Sequence, residues 1–224
     1  MYLILKYPTR ERPKLFQERL QHHLFMLSGL HDVRVIVSCD DDDASMNNPE
    51  MSAWIHRLEF CEVHYNPPPQ TKVTAVNANM PARHWDLCIL LSDDMVPQFD
   101  GYDDRIVQLF RQHFPDGDGV LHLNDGRTGQ KLNTLPILDH AYYSRFGFIY
   151  NPSYTSVWVD NEFQEVSEML GRAAYVDEVI VKHEWIGEHA PDDLHRRNES
   201  HHVRDAAVFA ERKAAGFPAV NRTE

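Results

Sequence analysis

Residues 87–94 read Leu-Cys-Ile-Leu-Leu-Ser-Asp-Asp, and this stretch decides the fold of the chain. The apolar run that ends at Leu91 is short, which predicts a strand buried on both faces of a sheet. Asp93 and Asp94 follow it, at the strand edge where open α/β sheets bind their ligands. Paired carboxylates there suit a hard divalent cation bridged to a phosphate. The alternative is a solvated turn, because Ser, Asp and Pro are ordinary turn formers.

Length and composition are compatible with one full-sized α/β domain. The chain has 224 residues, of which 42% are hydrophobic, and no apolar stretch is long enough to cross a membrane. It opens without a basic region or a cleavage-site pattern, so we expect no signal peptide and a cytoplasmic location. Three widely spaced cysteines predict buried free thiols rather than a disulfide framework or a zinc site. The net charge of −12 argues against broad binding to nucleic acid or anionic membranes.

Strand and helix patterns alternate along the chain. Alternation of this kind predicts parallel strands joined by right-handed crossovers. We therefore predict an α/β fold with a mostly parallel central sheet flanked by helices. The predicted strands are 3–6, 33–38, 59–64, 86–91, 119–123 and 174–182, and the predicted helices are 13–26, 50–57, 72–80, 103–114, 139–146, 162–170 and 205–214.

The segment after the first predicted strand, residues 6–13, contains no glycine. It is therefore neither a dinucleotide-binding fingerprint nor a P-loop. Thr9, Arg10 and Arg12 offer a hydroxyl and two guanidinium groups that could hold a nucleotide or diphosphate by charge-assisted hydrogen bonds. The alternative interpretation is that they are exposed residues at the start of a helix.

An acidic run, residues 40–43, follows the second predicted strand. Asp40 is nearest the strand and is best placed to face a cleft, whereas the other three favour a solvated loop. A carboxylate only accepts hydrogen bonds, so Asp40 would select a base with an imino N–H, such as uracil or guanine.

Taken in order, these segments resemble a GT-A glycosyltransferase, most closely the family-two nucleotide-diphospho-sugar transferases. The resemblance covers most of residues 2–183. It is carried by Lys-Tyr-Pro-Thr-Arg after strand one, Val-Ser-Cys-Asp after strand two, Lys72 with Ala75 and Asn77, and Leu-Ser-Asp-Asp at residues 91–94.

The resemblance implies a donor site at the strand ends. It assigns Asp94 and the late histidine His183 to a Mn²⁺ or Mg²⁺ ion, Asp93 to the ribose and Asp40 to the base. The family has glycine before its lysine, whereas Lys72 follows Gln70-Thr71, which leaves its detailed role open. The residues implied on the nucleotide-sugar side are Pro8, Thr9, Arg10, Arg12, Asp40, Lys72, Asn77 and Asp93.

The motif Val159-Asp160-Asn161-Glu162-Phe163 resembles the acidic acceptor-side motif of the same family. By position, Asp160 matches the catalytic base. Val159 departs from the usual glutamate, which keeps Glu162 open as an alternative base. Another interpretation is that Asp160 or Asn161 caps a helix that begins near Glu162.

The resemblance implies a single GT-A-like domain over residues 1–224. Residues 1–97 would form the nucleotide-sugar-binding half, 98–186 the acceptor-side half, and 187–224 a mobile loop and C-terminal helix. Within that loop, Arg196 and Arg197 could close over a bound diphosphate.

The implied activity is transfer of a sugar from a nucleotide diphosphate donor, with UDP expected, to an acceptor hydroxyl with inversion. A saccharide or lipid-linked saccharide is the default acceptor, and small molecules, proteins and modified DNA bases stay open. The competing hypotheses are a nucleotidyltransferase and a non-catalytic nucleotide-sugar-binding module.

Overall fold

The computed structural model describes residues 1–68, 70–184 and 191–218. Nine strands and eight α-helices are found in these ranges. The strands are β1 (Tyr2–Pro8), β2 (Asp32–Asp40), β3 (Cys61–Asn66), β4 (Leu87–Leu90), β5 (Met95–Pro97), β6 (Val120–Leu123), β7 (Ile137–Asp139), β8 (Ala173–Val176) and β9 (Val181–His183).

The helices begin where the sequence supplies a start signal. Pro13 is the first residue of its helix, where its missing N–H costs no hydrogen bond. The helix at Lys72 begins after a capping box formed by Thr71 and Thr74. The helices are α1 (Pro13–Phe25), α2 (Pro49–His56), α3 (Lys72–Asn77), α4 (Tyr102–His113), α5 (His140–Phe146), α6 (Val159–Met169), α7 (Asp193–Glu199) and α8 (His202–Ala214).

Seven strands form the central sheet in the order β3-β2-β1-β4-β7-β6-β8, and β5 pairs with β9 in a separate two-stranded sheet. Strands β1 to β4 run parallel to one another, so their carboxyl ends meet at one edge. Within the described part of the central sheet, only β7 runs antiparallel, to β4 and to β6. The predicted α/β fold with a mostly parallel, helix-flanked sheet is confirmed.

Apolar side chains cover both faces of the sheet. Along β1, Leu3 and Leu5 belong to one core and Ile4 to the other, as the two-residue repeat of a strand requires. All four residues of β4 are buried, which confirms the prediction of a strand enclosed on both faces. The cysteines are buried free thiols, also as predicted. Within the described residues, no helix is long and apolar enough to cross a membrane.

The second half departs from the prediction at two strands. The predicted strand 174–182 is two strands, β8 in the central sheet and β9 paired with β5, because a polar turn containing Glu178 separates them. Glu178 is held there by Arg105 at 2.7 Å. Strand β7 was missed altogether, since three residues after Pro136 are too few to give a pattern.

The predicted mobile loop 187–204 also needs correction. It contains helix α7, which is capped by the Asp192 carboxylate accepting the backbone N–H of His195 at 2.8 Å, and α8 begins at His202. Arg196 pairs with Asp193 on α7 itself, and Arg197 lies 3.7 Å from Glu11. Residues 187–190 of the predicted loop lie outside the described residues.

Candidate functional site

A cavity of about 620 Å³ lies at the carboxyl ends of β1, β2 and β4. This volume is within the range of sites that bind nucleotide-sized ligands. The edge is also where parallel α/β sheets place their ligand sites. The cavity is lined by ten of the twelve residues that the sequence proposed, namely Pro8, Thr9, Arg10, Arg12, Asp40, Lys72, Asp93, Asp94, Asp160 and His183.

Asp93 is the buried member of the acidic pair. It follows β4 directly, and the Thr9 hydroxyl lies 3.2 Å from both of its carboxylate oxygens. Arg12 approaches more loosely, with Nη1 4.0 Å from Oδ2. Burial raises the pKa of Asp93 to about 7, against the opposing effect of Arg12 and with a further upward contribution from Asp94. The cavity wall therefore carries a carboxyl group that titrates near neutral pH.

Asp94 faces His183, because β5 and β9 pair in the register Met95 to His183. His183 Nε2 lies 3.3 Å from Asp94 Oδ2. Burial alone would raise the pKa of Asp94, but hydrogen bonds with His183 and Ser92 lower it to about 2. Burial alone would likewise lower the pKa of His183, but Asp125 and Asp94 raise it to about 9. The pKa values of the two adjacent aspartates are thus shifted in opposite directions.

Asp125 is a residue of this site that the sequence analysis missed. It lies behind His183, with Oδ2 3.7 Å from Nδ1, and is almost fully buried. Its Oδ1 accepts the backbone N–H groups of Arg127 at 2.9 Å and Thr128 at 2.6 Å, and its Oδ2 accepts the Thr134 hydroxyl at 2.8 Å. These bonds and that of His183 outweigh burial and hold its pKa well below the ordinary value. An acid two residues after β6 was the available signal, but its polar surroundings are also typical of an ordinary loop.

Asp94 and His183 are the donor set available for a metal ion. Within the described residues, no group of three or more His, Cys, Asp or Glu side chains is arranged to hold one. Mg²⁺ is usually bound by one or two carboxylates together with substrate phosphates rather than by a complete protein cage. One carboxylate and one imidazole on the cavity wall fit an ion whose remaining ligands come from a diphosphate.

Asp40 and Arg10 line the cavity together. Asp40 is the last residue of β2, and its Oδ2 accepts a hydrogen bond from Arg10 Nη1. The same nitrogen lies 2.6 Å from Asp42. Burial raises the pKa of Asp40, although the Arg10 hydrogen bond opposes the change. Asp40 Oδ1 has no hydrogen-bond partner within residues 1–68, 70–184 and 191–218, so it is available to a ligand N–H.

Arg12 and Lys72 are two of the cationic residues that line the cavity. Arg12 makes a two-point ion pair with Asp192, through Nε at 2.7 Å and Nη2 at 2.9 Å, which anchors the start of α7. Lys72 is the first residue of α3 and its side chain is exposed.

Asn77 does not line the cavity, although the resemblance implied a nucleotide contact for it. Its Oδ1 accepts the backbone N–H groups of Ile149 at 2.9 Å and Tyr150 at 3.0 Å. Its Nδ2 donates to the Tyr150 carbonyl at 2.6 Å. All of its polar atoms are engaged in tying α3 to residues 149–150, so Asn77 shapes the cavity without facing it.

Asp160 and Glu162, the two acids of the predicted acceptor-side motif, line different cavities. Helix α6 begins at Val159, with Trp158 in the left-handed conformation (φ 65°) before it, so neither Asp160 nor Asn161 is the capping residue. Asp160 lines the large cavity, whereas Glu162 lines a separate small one. Glu162 is buried, and its carboxylate binds Arg212, Asn151 and Tyr154 at 2.7 to 2.9 Å.

The fold is similar to solved glycosyltransferase structures. The mannosyltransferase PcManGT from Pyrobaculum calidifontis, in complex with GDP-Man and Mn²⁺, matches with a TM-score of 0.67 at 13% identity, over 92% of this chain and 64% of that one. S. aureus TarS in complex with UDP matches with a TM-score of 0.60 at 13% identity, over 81% and 60%. Drosophila β-1,4-galactosyltransferase 7, with manganese, UDP-Gal and xylobiose, matches with a TM-score of 0.52 at 13% identity, over 84% and 72%.

This chain therefore spans less than two thirds of the length of the first two proteins. No protein-family model matches the sequence, and no curated protein sequence matches it. At these identities the likeness concerns the fold, which agrees with the strand order and the site position described above. The chain has the GT-A type of glycosyltransferase fold that its sequence predicts.

Proposed function

We propose that this protein is a metal-dependent glycosyltransferase that moves a sugar from a nucleotide diphosphate donor to an acceptor hydroxyl. One observation carries the proposal: the same cavity is lined by Asp40, Asp93, Asp94 and His183, the proposed donor residues, and by Asp160, the proposed base. A non-catalytic binding module would have no need of the Asp160 carboxylate in the same cavity. The GT-A fold and the nucleotide-sugar complexes of the similar structures support the same function.

The donor is held at the strand ends. Asp40 Oδ1 accepts the imino N–H of the base, while Arg10 keeps the carboxylate oriented from its other oxygen. Asp93, fixed by Thr9, accepts a ribose hydroxyl. UDP is the proposed nucleotide; GDP carries a comparable imino group and is the alternative that a binding panel separates.

The metal ion would be held by Asp94 and His183. Bound there together with the diphosphate, Mn²⁺ or Mg²⁺ supplies Lewis-acid stabilisation of the leaving group. His183 must give up its proton to serve as a ligand, and Asp125 and Thr134 then keep the ring in place from the Nδ1 side.

Asp160 is the proposed base. It takes the proton of the acceptor hydroxyl as that oxygen attacks the anomeric carbon, and the nucleotide diphosphate leaves from the opposite face. A single displacement of this kind inverts the configuration of the sugar. Positioned general bases supply roughly 10²- to 10⁴-fold in rate.

The direct test is a thermal-shift panel of UDP, GDP, CDP and ADP, each with Mn²⁺ and with EDTA. A ligand that binds only the folded protein raises its melting temperature. We expect UDP with Mn²⁺ to give the largest rise and EDTA to remove most of it, and Asp94→Asn to behave like EDTA. If the rise in melting temperature with UDP is unchanged by EDTA and by Asp94→Asn, the metal assignment is refuted. If the melting temperature does not rise with any of the nucleotides, the donor site is refuted.

A further inference from the structure

Asp205 is a buried acid of helix α8 that no step above uses. Its side chain is fully buried, and the carboxylate accepts the backbone N–H groups of three consecutive residues, Thr155 at 3.1 Å, Ser156 at 2.8 Å and Val157 at 3.1 Å. Hydrogen bonds in which one partner is charged are stronger than those between neutral groups. Asp205 therefore fixes the main chain of these three residues to α8.

The segment that Asp205 fixes leads directly into the proposed base. Residues 155–157 line the large cavity, Trp158 follows them, and Asp160 is the second residue of α6. The first turn of a helix is continuous with the residues that enter it. The position of Asp160 therefore depends on the path of the chain through residues 155–158.

Trp158 has a backbone conformation that its own chemistry disfavours. It is left-handed, with a φ of 65°, which is uncommon for a bulky residue and persists only where surrounding contacts impose it. Such contacts come from α8, because the Trp158 ring lies 5.2 Å from that of Phe209 and 5.5 Å from that of His202, measured between ring centroids. Helix α8 thus holds the entry to α6 through both its backbone and its side chain.

We propose that Asp205 is a positioning residue for the catalytic base: it fixes the turn at residues 155–158, and through that turn it sets the position of Asp160 in the cavity. The inference rests on the proposed function, in which Asp160 takes the acceptor proton. A general base must lie within hydrogen-bond reach of that proton, and a displacement of about 1 Å can lower the rate about 100-fold. Asp205 therefore acts on the rate through Asp160.

The experiment compares Asp205→Asn with Asp103→Asn. Both acids are fully buried and lie in the first turn of a helix, Asp205 in α8 and Asp103 in α4. Asp103 also holds a loop, because it accepts the backbone N–H of Ser28 at 2.7 Å and the Ser28 hydroxyl at 2.8 Å. Within the described residues, neither Asp103 nor Ser28 lines the large cavity, so Asp103→Asn is a matched control for the loss of a buried carboxylate.

Arg204→Gln is a milder second variant that disturbs the same turn. The exposed Arg204 side chain lies 2.6 Å from the Asp205 carboxylate, and it also donates to the Thr155 hydroxyl and the Ser153 carbonyl. Exposed substitutions rarely unfold a protein, so this variant keeps the test decisive if Asp205→Asn does not fold.

Amide hydrogen exchange gives the first readout and requires no substrate. The Glu162 N–H reports on the start of α6, because it donates to the Trp158 carbonyl at 3.2 Å. Asp205→Asn and Arg204→Gln should speed exchange at residues 155–157 and at Glu162, whereas the control should change neither. Unchanged exchange at Glu162 would overturn the inference, since the turn would then not govern the helix that carries the base.

Turnover gives the second readout, as UDP release from UDP-glucose, UDP-galactose and UDP-N-acetylglucosamine with Mn²⁺, and with methyl β-glucoside or water as acceptor. Per folded molecule, Asp205→Asn should lower kcat about 10- to 100-fold and leave the KM of the sugar nucleotide unchanged. Asp103→Asn should match wild type. An equal fall in both variants, or a raised KM in Asp205→Asn alone, would contradict the positioning role.

The double variant separates positioning from a general loss of structure. If Asp205 acts through Asp160, adding Asp205→Asn to Asp160→Asn should lower turnover no further, because the base is already absent. A further fall by the factor seen in wild type would refute the inference. Absence of turnover in the wild type with all three donors would count against the proposed function instead, and the exchange measurement would still decide whether Asp205 fixes the turn.

Discussion

Glu162 and Arg212 form a two-point ion pair that joins α6 to α8, with Nε 2.8 Å from Oε2 and Nη2 2.9 Å from Oε1. Asn151 donates to Oε1 and Tyr154 to Oε2, each at 2.7 Å. Each carboxylate oxygen therefore accepts two hydrogen bonds. A carboxylate engaged in this way is poorly suited to take a proton from a substrate, and Glu162 also lies outside the lining of the large cavity.

Glu162→Gln should therefore lower stability. The substitution leaves the largely buried Arg212 guanidinium without its counter-charge, and breaking a buried ion pair costs about 3 kcal/mol. Urea denaturation of the purified variant measures the change. Any fall in turnover should follow the fraction of protein that is folded.

Glu165→Gln is the matched control for that measurement. Glu165 also joins α6 to α8, through Lys213 at 2.6 Å, but this pair is exposed. Exposed pairs contribute about 0–1 kcal/mol, so the control should stay close to wild type. If Glu162→Gln were as stable as Glu165→Gln and yet inactive, Glu162 would be the base after all.

Sequence reasoning located the residues at the strand ends of the cavity because of one physical regularity. Parallel strands that are apolar on both faces are easily recognised, and their carboxyl ends share one edge. Asp40 and Asp94 are far apart in sequence but both follow strands of the parallel part of the sheet, so their convergence could be predicted. Asp160 and His183, which the family resemblance singled out, also line the cavity.

The rest of the site depends on tertiary pairing that no local pattern encodes. His183 reaches Asp94 because β9 leaves the central sheet and pairs with β5, a three-residue contact. Asp125 lies behind it only because β6 is placed next to β7. Asn77 has the right spacing for a ligand, but its amide is engaged by backbone groups more than 70 residues away.

His183→Ala should weaken Mn²⁺ binding by about 10- to 100-fold while the protein remains folded. The expected range is that for loss of a residue in the ligand environment of a metal. Titration of Mn²⁺ in the presence of UDP, followed by thermal shift, gives the apparent affinity. His64→Ala on the edge strand β3 is the control, and an unchanged Mn²⁺ titration in His183→Ala would make this histidine a structural partner of Asp94.

Asp40→Asn should reduce the preference for UDP over CDP. The wild-type carboxylate accepts an imino N–H that uracil has and cytosine lacks, and a hydrogen bond to a charged group is worth about 1.5–3 kcal/mol, or more than 10-fold in affinity. Asp42→Asn is the control, because Asp42 also forms an ion pair with Arg10 but is exposed. Equal loss of UDP affinity in both variants would mean that orientation of Arg10, and not base reading, is the role of Asp40.

Asp93→Asn should make the protein less sensitive to pH. A carboxyl group whose pKa is about 7 when folded and about 3.9 when unfolded binds more protons in the folded state. The free energy of unfolding therefore falls as the pH rises from about 4 to about 7. The Asp93→Asn variant has no such titration. Its free energy of unfolding relative to wild type should therefore be greater at pH 8 than at pH 5. Urea denaturation at both pH values tests this, and a constant difference would contradict it.

Asp160→Asn is the decisive variant for the chemistry. The amide keeps the size of the side chain but cannot accept the proton of the acceptor, so turnover should fall by roughly 10²- to 10⁴-fold. UDP and Mn²⁺ affinities should stay near wild type, because Asp94, His183 and Asp40 belong to other elements of the cavity wall. The measurements are steady-state UDP release and the UDP thermal shift, with Glu165→Gln as the control on the same helix. Loss of UDP binding in Asp160→Asn would place this carboxylate in the donor site instead, and unchanged turnover would leave the proposed base without a function.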